Sequence, residues 1–181
     1  MSEIIERIIQ YDKDFAEAKF KSKVSNTFIQ IKLAITTENI EKIKHFVDDK
    51  VYEKILQKVN EDNSNNRIQI YDELNVSDIK IISAEEEDNR FAIDVILHYK
   101  AIEYYIDKES RKYLSGNNKR RIEKDVKLVF AKNKNTKKFQ KARSCPTCGA
   151  NIDVNSNGKC SYCNSIFDLE NYDWIITEMD I

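Results

Sequence analysis

No cysteine occurs before residue 145; all four stand between 145 and 163, so whatever the thiols do is confined to one short stretch. Long apolar runs are missing too. In the opening SEIIERIIQYDKDF, Glu3, Glu6 and Arg7 interrupt the isoleucines before the ~7 apolar residues of a secretory signal or the ~20 of a membrane span accumulate. A cytoplasmic location is therefore expected, and in that reducing compartment thiols stay reduced. Neither sign of charge is in excess: 30 Lys and Arg against 31 Asp and Glu leave a formal net charge of −1 and no global field favouring polyanions. Histidine is limited to His45 and His98, and no Ser-His-Asp set, phosphate loop or pair of catalytic carboxylates stands out. What is present, 41% hydrophobic and 34% charged residues, suits a soluble globular chain. The length fits one ordinary domain, or about 140 residues plus an appendage too small for its own core.

The cysteine stretch reads CPTCGANIDVNSNGKCSYC. Cys145 and Cys148 form one Cys-x-x-Cys pair, Cys160 and Cys163 the other. Two such pairs can supply four thiolates to a tetrahedral ion at ~2.3 Å. Gly149 and Asn164 follow the second cysteine of each pair, where the turn favours a left-handed backbone. Between the pairs, Ile152 and Val154 alternate with polar residues and the chain turns at Asn157-Gly158, the layout of a zinc ribbon. A redox site needs only one such pair at a helix start, and a catalytic zinc keeps a position open for water. With four cysteines and no histidine nearby, one structural zinc ion is expected. The segment after about residue 142 holds few apolar side chains, Tyr172, Trp174, Ile175 and Ile176 of the tail among them, so the ~10 to 16 kcal/mol that structural zinc contributes would supply the folding energy.

Upstream the apolar period changes along the chain. Ile4, Ile5, Ile8 and Ile9 lie on one side of a first helical segment. Phe20, Val24, Phe28, Ile31 and Ile35 predict a helix from about residue 14 to 35 with one buried stripe. Thr36 or Thr37 is expected to cap a short helix with Ile40, Ile43, Phe46 and Val47; Asp48 or Asp49 caps another with Val51, Ile55, Leu56 and Val59. NEDNSNN, residues 60–66, reads as a polar break before strands. Val76, Ile79, Ile81 and Ile82 mark the first strand, and the alternation Phe91, Ile93, Val95, Leu97, Tyr99 the second. A further stretch carries Tyr104 and Ile106, and Ile122, Val126, Leu128 and Phe130 a last strand. The prediction is α+β, helices on an antiparallel sheet. The domains expected are a helical extension (1–13), the α+β domain (14–131), a lysine-rich linker (132–143), and the ribbon with its tail (144–181). Lys119, Arg120 and Arg121 with Lys137 and Lys138 form a candidate basic patch for nucleic-acid or anionic-lipid contact, weighed against a solvated hinge.

The run YDKDFAEAKFKSKVSNTFIQIKLAITTENIEKIKHFVDDKVYEKIL, the strands after it, the CPxCG ribbon and the YDWII tail resemble the Tim44-like domain family. These are bacterial relatives of the C-terminal domain of the mitochondrial import-motor tether. The resemblance covers roughly residues 12 to 176. It implies the cone-shaped fold of the nuclear transport factor two superfamily, a curved sheet wrapped by helices around an apolar pocket able to take an apolar ligand. It also implies peripheral membrane binding. Chaperone tethering is not carried over, because the segment responsible for it has no counterpart ahead of residue 12. The last strand, KLVFAK, also departs from the aromatic-rich ending usual in the family.

An enzyme in such a cone needs an acid or base inside it. The nearest candidates, Asp94 and His98, share the face of their strand opposite Phe91, Ile93, Val95, Leu97 and Tyr99, and so are expected to face solvent. The reading is a non-catalytic binding module for a protein or a peripheral membrane surface, with Ile4, Ile5, Ile8 and Ile9 as candidate contacts that otherwise simply pack on the domain. The alternatives are a nucleic-acid-binding ribbon protein and a small-molecule-binding or isomerase-like enzyme.

Overall fold

The computed structural model describes residues 2–13, 15–134 and 173–180. Helices α1 (Ser2–Tyr11) and α2 (Glu17–Thr36), a single 3-10 turn (Ile40–Ile43) and helix α3 (Asp49–Ser64) precede the strands. These are β1 (Arg67–Glu86), β2 (Arg90–Asp107), β3 (Tyr113–Gly116), β4 (Ile122–Asn133) and β5 (Ile175–Met179). The sheet is antiparallel in the order β1-β2-β4-β5, and β3 pairs with β2 beyond the start of β4. The α+β expectation holds: helices pack on a curved antiparallel sheet.

Periodicity explains most of this. Helix α2 buries Phe20, Val24, Phe28, Ile31 and Ile35, the three-and-four spacing of one helical face. Inward residues Ile93, Val95 and Leu97 of β2 stand opposite Phe130, Leu128 and Val126 of β4 and, with α2, form the centre of the core. Asp48 caps α3, its carboxylate accepting from the Val51 amide at 2.8 Å.

Three local readings change. Thr37 ends α2 instead of starting the next helix: its hydroxyl donates to the Leu33 carbonyl, and the chain turns away through Glu38 at φ 55°. The polar break is also shorter than residues 60–66. Helix α3 continues to Ser64, supported by i,i+4 contacts of Gln57 with Glu61 and of Lys58 with Asp62. The chain reverses at Asn65 and Asn66, Asn66 taking the left-handed φ of 51° that asparagine tolerates, so β1 starts at Arg67. Finally, Tyr104 and Ile106 continue β2 as one strand. Register shifts in β1 between Asp72 and Asn75, Val76 and Asp78, and Ile81 and Ser83 blur the alternation that marks a strand.

The tail has a place of its own. Strand β5 pairs with β4, Phe130 opposite Ile176 and Leu128 opposite Met179. Its outer edge is covered, since the Ile176 amide donates to the Phe46 carbonyl and the Asp48 amide to the Ile176 carbonyl. Trp174, 4% exposed, lies 5.4 Å from the Phe20 ring and 5.8 Å from Phe15, so the residues counted with the terminal module complete the main core.

Trp174→Ala should therefore destabilise the domain by about 3–5 kcal/mol in urea unfolding followed by far-ultraviolet circular dichroism. Trp174→Phe should cost much less. A loss under about 1 kcal/mol for the alanine variant would detach the tail from the folding unit.

Candidate functional site

Among the described residues one cation, Lys32, is buried in the interior. Lys32 lies on the buried face of α2, one turn from Phe28, and is 6% exposed. Its ammonium donates to the Tyr71 hydroxyl at 3.3 Å and sits over the rings of Tyr71 (4.5 Å), Phe28 (5.3 Å) and Tyr99 (5.8 Å). This is an aromatic cage without a carboxylate in contact. Burial pushes the Lys32 amine down to about 8, against the opposing pull of the Glu103 charge. Burial likewise pushes the Tyr71 and Tyr99 phenols well above their ordinary value.

The nearby carboxylates are committed. Glu103, 9% exposed, accepts from the Tyr99 hydroxyl and from the Lys124 ammonium, each at 2.6 Å, which uses both of its oxygens. Asp62, 5% exposed, accepts from Lys58 at 2.9 Å and from Arg67 at 2.7 Å, and the Arg67 guanidinium stacks 4.3 Å from the Tyr105 ring centre. A cavity of about 10 Å³ beside Ile35, Val59, Asp62 and Gln69 is at most water-sized. The broader recess lies outside, on the polar face of α3 around Leu56, Gln57 and Asn60. The arrangement fixes charges in place; it offers no free base facing a substrate-sized space among the described residues.

Asp94 and His98 stand on the outer face, as strand parity requires. Lys127 pairs with Asp94 at 3.1 Å, and His98 lies 2.7 Å from Asp125 and 3.4 Å from Glu123. Lys100, more than His98, holds the Glu123 carboxyl below its usual range. Together these side chains make a cross-strand ionic row between β2 and β4. His45 is half-buried against Phe46, its basicity lowered by burial and by Lys23.

Of the isoleucines of α1, Ile8 is fully buried, Ile4 and Ile5 are partly buried against the core, and Ile9 is 43% exposed. The helix is pinned by Arg7 to Glu86, which Lys134 also contacts, and just beyond its end Lys132 pairs with Asp12. In the basic stretch, Arg121 pairs with Glu73, while Lys119 and Arg120 are exposed. Lys137, Lys138, Cys145, Cys148, Cys160 and Cys163 lie outside the described residues, among which no group of three His, Cys, Asp or Glu side chains is placed to hold a metal. The residue missed by sequence reading is Lys32. Its signal was a lysine four positions after Phe28, inside the apolar stripe.

Lys32 makes the domain's stability rise with pH in a defined window. Below about 8 both folded and unfolded chains carry the proton and the burial penalty is complete. Between about 8 and the ordinary value of 10.5 the folded state gives up the proton first, relieving up to roughly 3 kcal/mol. Above pH ~10 the raised tyrosines act in the opposite sense, because the unfolded chain ionises first. Urea midpoints should therefore increase from neutral pH toward pH ~9.5 in the native chain and stay flat in Lys32→Met, which should also be the more stable protein at neutral pH. Equal slopes in the two proteins would remove the buried ammonium as the cause.

Residues 1–140 match the Tim44-like domain. No curated protein sequence matches the chain. Among solved structures, the intermembrane-space region of the chloroplast protein ARC6 is similar at 10% identity and a TM-score of 0.49, over 92% of this chain and 95% of that one. On a match that runs from the first helix through the last residues of β4, the chain belongs to the Tim44-like domain family.

Proposed function

We propose that this chain is a non-catalytic binding module that engages a protein or membrane surface, with a structural zinc ribbon formed by Cys145, Cys148, Cys160 and Cys163. The observation that carries the reading is the state of the interior. The fully buried side chains of Phe28, Leu97, Leu128 and Phe130 fill it, Glu103 and Asp62 are tied to cations, and Asp94 and His98 face outward in ion pairs. With no acid or base left free beside a cavity, what the described residues offer a partner is surface. No helix among them is long and apolar enough to cross a membrane, so a membrane contact of these helices would be peripheral.

The zinc assignment rests on the thiolate spacing, which closes a tetrahedral shell and leaves no position for reactive water. A cytoplasmic setting agrees with it, because reduced thiols are the metal-binding form. The ribbon's stretch is joined to the domain at β4 on one side and β5 on the other. Loop-closure entropy changes only by about 0.6 kcal/mol per doubling of loop length, so metal removal should leave the main domain nearly intact.

Native mass spectrometry of the full chain should find one zinc ion per chain and no stoichiometric organic ligand. Chelation should remove the ion while shifting the main unfolding midpoint by no more than a few degrees. Metal-free chain whose mass reports disulfides would overturn the ribbon, and a small molecule retained in every copy would move the reading to a ligand-binding or catalytic cone.

A further inference from the structure

Strand β5 is gripped along both edges. One edge pairs with β4; the other meets residues 46–48, where Val47 forms a parallel bridge with Ile176. Two backbone hydrogen bonds make this second contact, from the Ile176 amide to the Phe46 carbonyl and from the Asp48 amide to the Ile176 carbonyl, each at 2.9 Å. At the near end of the strand, Trp174 is seated against Phe15 and Phe20. Just before it, Asp173 accepts from the Lys23 ammonium of α2 at 2.5 Å and from the Trp174 amide at 2.8 Å. The tail is thus clasped between a strand and a turn, with few bonds on the side of the turn.

Each of the two segments brings to this contact a polar atom that it leaves unsatisfied. His45 stands two residues before Val47, and Trp174 two before Ile176. The His45 Nδ1 and the indole N–H of Trp174 are both buried without a hydrogen-bond partner among the described residues. The His45 ring packs on Phe46 with centres 3.9 Å apart. The carboxylates on the elements around it are committed: Asp173 has both oxygens engaged, Glu41 accepts from the Tyr52 hydroxyl at 3.0 Å, and Asp48 caps α3. The cations are Lys23 of α2 and, next in sequence, Lys44, whose ammonium lies over the Tyr52 ring at 5.5 Å. Burial, and after it the Lys23 charge, holds His45 below its ordinary value of 6.5. A neutral ring suits this place, whereas a charged one would be desolvated beside another cation.

We propose that His45 makes this contact an acid-sensitive clasp: with the ring neutral the 45–48 segment holds β5, and with the ring protonated β5 and Trp174 detach locally while the core of α2, β2 and β4 stays folded. In the detached state His45 is solvated and titrates near its ordinary value. The clasp is therefore at full strength above pH 6.5 and weakens as pH falls below it. Its opening constant rises by up to about tenfold per pH unit, until the clasped ring itself takes up the proton. Every group involved belongs to the domain, so the clasp is independent of what the chain binds. It is also separate from His98, which lies on the outer face of the sheet beside Asp125 and Glu123.

The test is amide hydrogen exchange of the full chain, followed by nuclear magnetic resonance and corrected for the intrinsic rate at each pH. Between pH ~6.5 and pH ~5.5 the protection of the Ile176 and Asp48 amides should fall by up to about tenfold, while amides at the centre of β2 keep theirs. Trp174 is the one tryptophan of the chain, so acrylamide quenching of its fluorescence, which should rise over the same range, is a second readout. His45→Phe, which keeps a ring on Phe46, and His45→Gln should both abolish the pH dependence, and His98→Gln should leave it as in the native chain. A loss of protection that persists in both His45 variants would assign the acid response to thiolates or carboxylates and overturn the clasp. Unchanged protection in the native chain would overturn it as well, and so would an equal loss in β2, which would mean unfolding of the whole domain.

Discussion

Packing of α2 across the inward face of β2 is the contact on which the other elements depend. Phe91, Ile93, Val95, Leu97, Tyr99 and Ala101 project to one side of β2, and Phe28 of α2 meets Tyr99 at a ring separation of 4.9 Å. Strand β4 extends the same surface by register, and β5 extends it again. Helix α3 and the 3-10 turn close the flank, with Val51, Ile55 and Ile43 fully buried. Because strand side chains alternate, this one face also decides the other: everything polar on even positions of β2, Asp94 and His98 included, is committed to the outside.

The same packing explains the charge distribution inside. A stripe broad enough to cover the sheet brings Lys32 into the interior, where the protein surrounds its ammonium with three rings and one hydroxyl instead of a carboxylate. Cation–π attraction and the more distant Glu103 offset part of the desolvation, and the remainder lowers the amine's basicity. Elsewhere buried charge is matched conventionally, Asp62 by two cations and Glu103 by a lysine and a phenol. The interior thus uses its ionisable groups for positioning.

Much of the fold was legible in the residues themselves. The buried stripe of α2, the cap at Asp48 and the parity of β2 depend on neighbours within a few positions, which spacing reports directly. The start of β1 was hidden because α3 remains helical through polar residues and because three register shifts break the alternation of the strand. The candidate site was less legible. Isoleucines at 4, 5, 8 and 9 announced an amphipathic helix, but only packing separates fully buried Ile8 from Ile9 at 43% exposure. Likewise, Lys119, Arg120 and Arg121 read as one basic run, whereas the fold neutralises Arg121 with Glu73 from a strand 48 residues away.

By itself, then, the sequence determined the helices-then-strands order, the facing of each periodic element, and a quartet of cysteines with metal-ligand spacing. Tertiary structure alone decided that Trp174 and Ile176 belong to the main core, that Lys32 is caged by aromatic rings, and that Glu73 neutralises Arg121 while Lys119 and Arg120 beside it are exposed. The physical reason is range. Periodicity and capping are set by residues three or four apart, whereas burial and ion pairing are set by which distant segments the sheet brings together.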